Sequence, residues 1–138
     1  METKNNTQNK KIILVVDDNN VIKNLMCSYL NDHKLNDEVL CVGFSKPADA
    51  VSFVSKNKDE HNVILAFIDI IMDGSLDGNF DIVYTLQNEH PNAEIILITG
   101  MDRNDPYVSV FKEKCLIVVY KPFKLELIND IAGVILNG

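Results

Sequence analysis

The apolar run NVILAFID (62–69) closes on Asp69, inside a stretch, FIDIIMDGSLDG (67–78), that adds the acids Asp73 and Asp77. Other apolar runs also end in polar groups: KIILVV (11–16) stops at Asp17-Asp18, AEIILIT (93–99) in Thr99, and CLIVVY (115–120) at Lys121. Brought together, the carboxylates of Asp17, Asp18 and Asp69 repel one another, so some stay protonated unless a cation joins them. Oxygen donors favour a hard ion that keeps several waters, which selects Mg2+ over zinc. With metal bound, one carboxylate can act as a nucleophile toward phosphorus and become an aspartyl phosphate. Lys121 and Thr99 on the far side could hold the equatorial phosphoryl oxygens.

Meeting depends on the elements that carry these groups. From Asn19 to Leu30, residues Ile22, Leu25, Met26 and Tyr29 recur at helical spacing, and EVLCVGF (38–44) reads as a second strand. Pro47, Ala50, Val51 and Val54 mark the next helix, with Pro47 in its first turn. A third helix, from Gly78 to Asn88, stops at His90-Pro91, because the residue before proline disfavours the helical region. Asp105 to Lys112 is a weaker helix, and Leu125, Ile128, Ile131, Ala132 and Ile135 make the last one. Strand and helix therefore alternate five times. Continuous apolar strands fit a parallel sheet covered on both faces. The expected fold is α/β, a (βα)5 doubly wound five-stranded parallel sheet of order 2-1-3-4-5, which opens its crevice beyond the C-terminal strand edge. Strand 2 ends in Gly43-Phe44, with nothing ionisable. The polar strand ends thus gather where that topology makes a crevice.

At 138 residues the chain is read as a flexible, polar lead-in over 1–10 and one domain over 11–138. A net charge of −7 argues against a nucleic-acid surface. The start of the chain lacks a signal peptide's apolar stretch, and no apolar run approaches the length of a bilayer span. Cys27, Cys41 and Cys115 are odd in number and widely spaced, so they are expected to be reduced core residues of a cytoplasmic protein. His33, His61 and His90 lie in connectors or at element ends, where surface positions are expected.

Competing chemistries fail on particular residues. A calcium loop starting at Asp69 would need an acid or amide where Ile71 stands and Glu where Phe80 stands. A phosphatase acid pair also fails at Ile71, and no GxxxxGK[ST] segment is present. Asp17-Asp18 could instead cap the first helix.

The segments VVDD (15–18), FIDIIM (67–72), ILITG (96–100) and YKPF (120–123) resemble, in order and spacing, the receiver domain of two-component response regulators. The resemblance implies a phosphorylation-dependent switch, with Asp69 as phosphoacceptor. It makes Asp18 a direct Mg2+ ligand, Asp17 a ligand partly through water, and the Ile71 carbonyl a third contribution. It further implies Thr99 as the switch hydroxyl, Lys121 as the cation pairing with Asp69 or its phosphate, and a cis Lys121-Pro122 bond. The implied donors are a sensor histidine kinase or a His-phosphotransfer protein. The output would pass to a protein effector or through self-association, without nucleic acid or membrane, from a surface around Tyr107, Lys112, Tyr120 and Lys124. The catalysis implied is only that of its own phosphorylation and dephosphorylation.

Three places depart from the family pattern. Asp73 and Asp77 stand where Pro and Gly are usual, and Gly78 falls one residue later. Val118 holds the place of the switch aromatic, with Tyr120 two residues on and on the same strand face. Ile71 and Met101 flank the route of the hydrolytic water, which predicts a long-lived phospho-form. A phosphorylation-independent interaction module and a small Mg2+-dependent phosphohydrolase are the alternatives. Val118 and the altered loop favour the first, and the lack of a separate general acid or base disfavours the second.

Overall fold

The computed structural model describes residues 10–33, 38–56, 60–69, 77–113 and 117–137, leaving out the side chains of 77–79, 107 and 111. Its strands are β1 (Lys10–Val16), β2 (Val39–Phe44), β3 (His61–Asp69), β4 (Glu94–Thr99) and β5 (Ile117–Tyr120). Between and after them run α1 (Asn20–Asp32), α2 (Pro47–Lys56), α3 (Asp77–Glu89), α4 (Pro106–Lys112) and α5 (Leu125–Asn137). All pairings are parallel, as the apolar runs predicted, and the strand order is the expected β2-β1-β3-β4-β5 of a doubly wound sheet. The flexible lead-in expected over 1–10 lies outside the described residues except for Lys10, which opens β1.

Strand alternation sorts the core into two layers. On one face Ile12, Leu14, Val16, Ala66, Ile68, Ile95 and Leu97 pack with Ala50 and Val54 of α2, Ile82, Val83 and Leu86 of α3, and Val108 of α4. On the other, Ile13, Val15, Leu65, Phe67, Ile96, Ile98 and Val119 pack with Met26 and Leu30 of α1 and Ile128 and Ala132 of α5. Fully burying one such side chain is worth about 1.5–3 kcal/mol.

A register shift between β1 and β3 sets which face each strand end continues. Ile12 pairs with Val63, but Ile13 pairs with Leu65, so Ile64 is an extra residue. Beyond it, Leu65 and Phe67 face α1 and α5, and Asp69 carries on that alternation. Asp17 after Val15 and Lys121 after Val119 continue the same face. Thr99 continues the opposite one, after Ile95 and Leu97.

Two expectations need correction. His90 is not a surface residue: it is 8% exposed, and its Nδ1 accepts a long 3.4 Å bond from the Val63 N–H. Burial holds its pKa below the usual histidine value, so the ring is kept neutral between α3 and β3. His61 is half-buried, with its ring stacked at 5.3 Å on Phe53, whereas His33 remains exposed beside Tyr29. The stripe of α1 is also rotated: Met26 and Leu30 are buried while Leu25 is 52% exposed.

Candidate functional site

At the C-terminal edge of β1, β3 and β5, Lys121 extends its ammonium between two acids. Its Nζ lies 3.1 Å from Asp17 Oδ2 and 3.2 Å from Asp69 Oδ2, donating a hydrogen bond to each. Burial alone pushes the lysine pKa down, but the charge of Asp69 and the bond to Asp17 outweigh it and hold it above the ordinary range. Asp17 and Asp69 are buried, at 1% and 7% exposure, while Asp18 faces solvent.

The capping alternative for Asp17-Asp18 falls to their neighbour. Asn19 is the N-cap of α1: its Oδ1 accepts from the N–H groups of Val21 and Ile22 at 3.0 and 3.1 Å. Asp17 Oδ1 accepts from the Asn19 N–H at 2.9 Å, which fixes that carboxylate while its other oxygen meets Lys121. Both oxygens of Asp17 are thus engaged, while Asp18 is exposed at the mouth of the crevice.

One oxygen from each of Asp17, Asp18 and Asp69 can be chosen so that all lie within 4.8 Å of one another. Three carboxylates gathered this closely repel one another, and a divalent cation among them would relieve that repulsion. The donors are all hard oxygens, so the residues present fit Mg2+. The fourth predicted contribution, the Ile71 carbonyl, and the irregular acid Asp73 lie outside the described residues.

Thr99 is buried at the end of β4, where its Oγ1 accepts from the Met101 N–H at 2.9 Å. This contact uses an oxygen lone pair and leaves the hydroxyl proton for donation. The Lys121 N–H donates to the Thr99 carbonyl at 2.7 Å, prolonging the β4–β5 ladder into the site. The Lys121-Pro122 peptide is cis.

Tyr120 is the register partner of Thr99, and both Val118 and Tyr120 pack against the α2–α3–α4 side of the core. The Tyr120 hydroxyl is buried without a hydrogen-bond partner among the described residues. The Arg103 guanidinium lies 4.2 Å from the centre of its ring. Sequence reading missed Arg103, since an arginine in a polar loop carries no local sign of the ring it covers. The side chain of Tyr107 lies outside the described residues, while Lys112 and Lys124 are exposed. Met101 is half-buried and packs against the same core layer as Tyr120.

An apolar groove of about 500 Å³ opens beside Lys121, lined by Ile22, Leu25, Met26, Pro122, Phe123 and Leu125. No helix among the described residues is long and apolar enough to cross a membrane.

Residues 13–132 match the family described as the response regulator receiver domain. Among solved structures, a response regulator receiver domain protein from Clostridium thermocellum is 18% identical with a TM-score of 0.73, over 92% of this chain and 94% of that one. The Francisella response regulator 1452 receiver domain is 17% identical with a TM-score of 0.70, over 91% and 96%. NtrX from Brucella abortus, solved with ATP, is 25% identical with a TM-score of 0.71, over 91% of this chain but 27% of that one. No curated protein matches the chain.

Proposed function

The chain belongs to the response regulator receiver domain family, whose members are phosphorylation-dependent signalling domains, and from that premise we propose that Asp69 accepts a phosphoryl group from a phosphohistidine. The donor is a sensor histidine kinase or His-phosphotransfer protein in the cytoplasm, and the receiver unit spans 11–138. One observation carries the reading: Lys121 bridges the buried carboxylates Asp17 and Asp69, with Asp18 within ligand distance of both.

An Asp69 oxygen attacks phosphorus, forming the P–O bond as the P–N bond to the donor imidazole breaks, and the imidazole takes up a proton. Lys121 orients the nucleophile beforehand and afterwards neutralises the phosphoryl oxygens. Asp17, Asp18, Asp69 and the Ile71 carbonyl would hold Mg2+, which when bound supplies further charge stabilisation there. The groove flanked by exposed Leu25 adjoins Lys121, so an apolar helical surface of the donor protein can dock beside the transferring group.

Thr99 then turns its proton toward a phosphoryl oxygen, and its register partner Tyr120 follows. This biases an existing two-state equilibrium and changes the α4–β5–α5 surface around Tyr107, Lys112, Val118, Tyr120 and Lys124. A protein effector or a second copy of the chain reads that surface. Catalysis is confined to the domain's own phosphorylation and dephosphorylation. A phosphorylation-independent interaction module is the second reading, favoured by Val118 and by the contact of Tyr120 with Arg103.

Incubation with acetyl phosphate and Mg2+, followed by intact mass, tests the proposal. One phosphoryl adduct on the wild type and none on Asp69→Asn is the expected result. An unmodified wild type, or an adduct that persists in Asp69→Asn, would count against it, and turnover of an external phosphoester would favour the phosphohydrolase.

A further inference from the structure

Away from the acids, α1 and β2 bring two thiols together. Cys27 on α1 is half-buried, Cys41 on β2 is 5% exposed, and both pack in the core layer of Met26 and Leu30. The two thiols are near enough to shift each other's pKa, Cys27 downward and Cys41 upward.

The space they share is made by a glycine. Cys41 and Gly43 project from the same face of β2, and a Cβ added at Gly43 would stand 2.8 Å from both Cys27 Sγ and Lys23 Cγ. The bare strand lets the Cys27 sulfur and the Lys23 stem settle against it. Asn31, one turn after Cys27, locks the register of helix and strand. Its Nδ2 donates to the Cys41 carbonyl at 3.2 Å and its Oδ1 accepts from the Cys41 N–H at 2.9 Å.

The geometry points to Cys27 and Cys41 as an oxidation site: a hydroperoxide converts the pair to an intramolecular disulfide that ties α1 to β2. Cys27 is the partly exposed sulfur, and the neighbouring Cys41 thiol, with the Lys23 charge, lowers its pKa despite burial. Cys41 is shifted the other way by Cys27 and by burial, so it stays a thiol. In the first step the Cys27 sulfur attacks the peroxide; an S–O bond forms, the O–O bond breaks, and the alkoxide leaves as alcohol after taking the Cys27 proton. In the second, Cys41 attacks the Cys27 sulfenic acid. The S–S bond forms, the S–O bond breaks, and the departing hydroxide combines with the Cys41 proton to give water. Two thiols lose two electrons and one peroxide gains them.

The test treats the full chain with a small molar excess of hydrogen peroxide, alkylates it under denaturing conditions, and maps the peptides by mass. Two alkylations are expected to disappear, and one linked peptide pair to join Cys27 to Cys41. Dithiothreitol should reverse the change, Cys115→Ser should retain it, and Cys27→Ser should abolish it. A link through Cys115, Cys27 carried to sulfinic acid without a link, or three cysteines that all remain alkylatable would overturn the assignment.

Discussion

On the Asp69 side of the crevice, Lys121 holds two buried carboxylates at 3.1 and 3.2 Å, and Asp17 is pinned again by the Asn19 N–H. On the Thr99 side, the hydroxyl bonds only the loop it begins, and the Tyr120 hydroxyl has no partner among the described residues. The first side is organised before any phosphoryl group arrives, as a reaction that depends on positioning requires. The second keeps unspent hydrogen-bonding capacity, which suits a part that must change partners. The two strand faces separate the roles: Asp17, Asp69 and Lys121 continue the α1–α5 face, whereas Thr99 and Tyr120 belong with α2, α3 and α4.

The contrast breaks most severely at the lysine. Lys121→Ala should slow acetyl phosphate labelling about a hundredfold, the typical loss of one preorganised charge donor. Mass spectrometry over time measures it, and a wild-type rate would show that the bridge only holds the fold. The next effect lies in persistence. If, as the family resemblance implies, Ile71 and Met101 flank the water route, Ile71→Asn with Met101→Glu should speed dephosphorylation roughly tenfold. Equal decay of wild type and double variant would remove the predicted long-lived phospho-form.

Acid response should come from a third place, remote from both sides. Because burial lowers the His90 pKa, the folded state favours the neutral ring and the unfolded chain binds more protons. This contribution to stability is present above the ordinary histidine pKa of 6.5 and is lost as pH falls through the folded-state value. Urea midpoints on the acid side should therefore fall less steeply in His90→Gln than in the wild type. The smallest change is at the ring itself. Tyr120→Phe removes a buried, unpartnered hydroxyl and should raise stability by up to about 1 kcal/mol. A loss of similar size would mean that the hydroxyl is satisfied in solution.

Much of this was legible in the chain because its strands are continuous apolar runs that end abruptly in ionisable residues. Asp17, Asp69 and Lys121 could be placed at one sheet edge from strand order alone, and the structure brings their atoms together. What escaped notice depends on contacts between distant elements. His90 looks exposed beside Pro91, yet chain folding sets its ring against β3. The inward side of α1 passes through Met26 and Leu30, while Leu25 lines the open groove beside Phe123. Arg103 meets Tyr120 across a loop whose path no local pattern encodes.

The additional residue at Ile64 gives β3 something like a reading frame. Side chains before it and after it obey opposite parity, so the direction of Asp69 is decided five positions upstream. Pairing Ile64 with Ile13 in a regular ladder would turn Ile68 toward Lys121 and Asp69 toward Thr99, whereas removing Ile64 would join Val63 to Leu65 and leave Asp69 facing as it does. The acids of the crevice are thus only as well placed as a count of hydrophobic residues, and a one-residue deletion between Leu65 and Asp69 would turn Asp69 away from Lys121 without touching either residue.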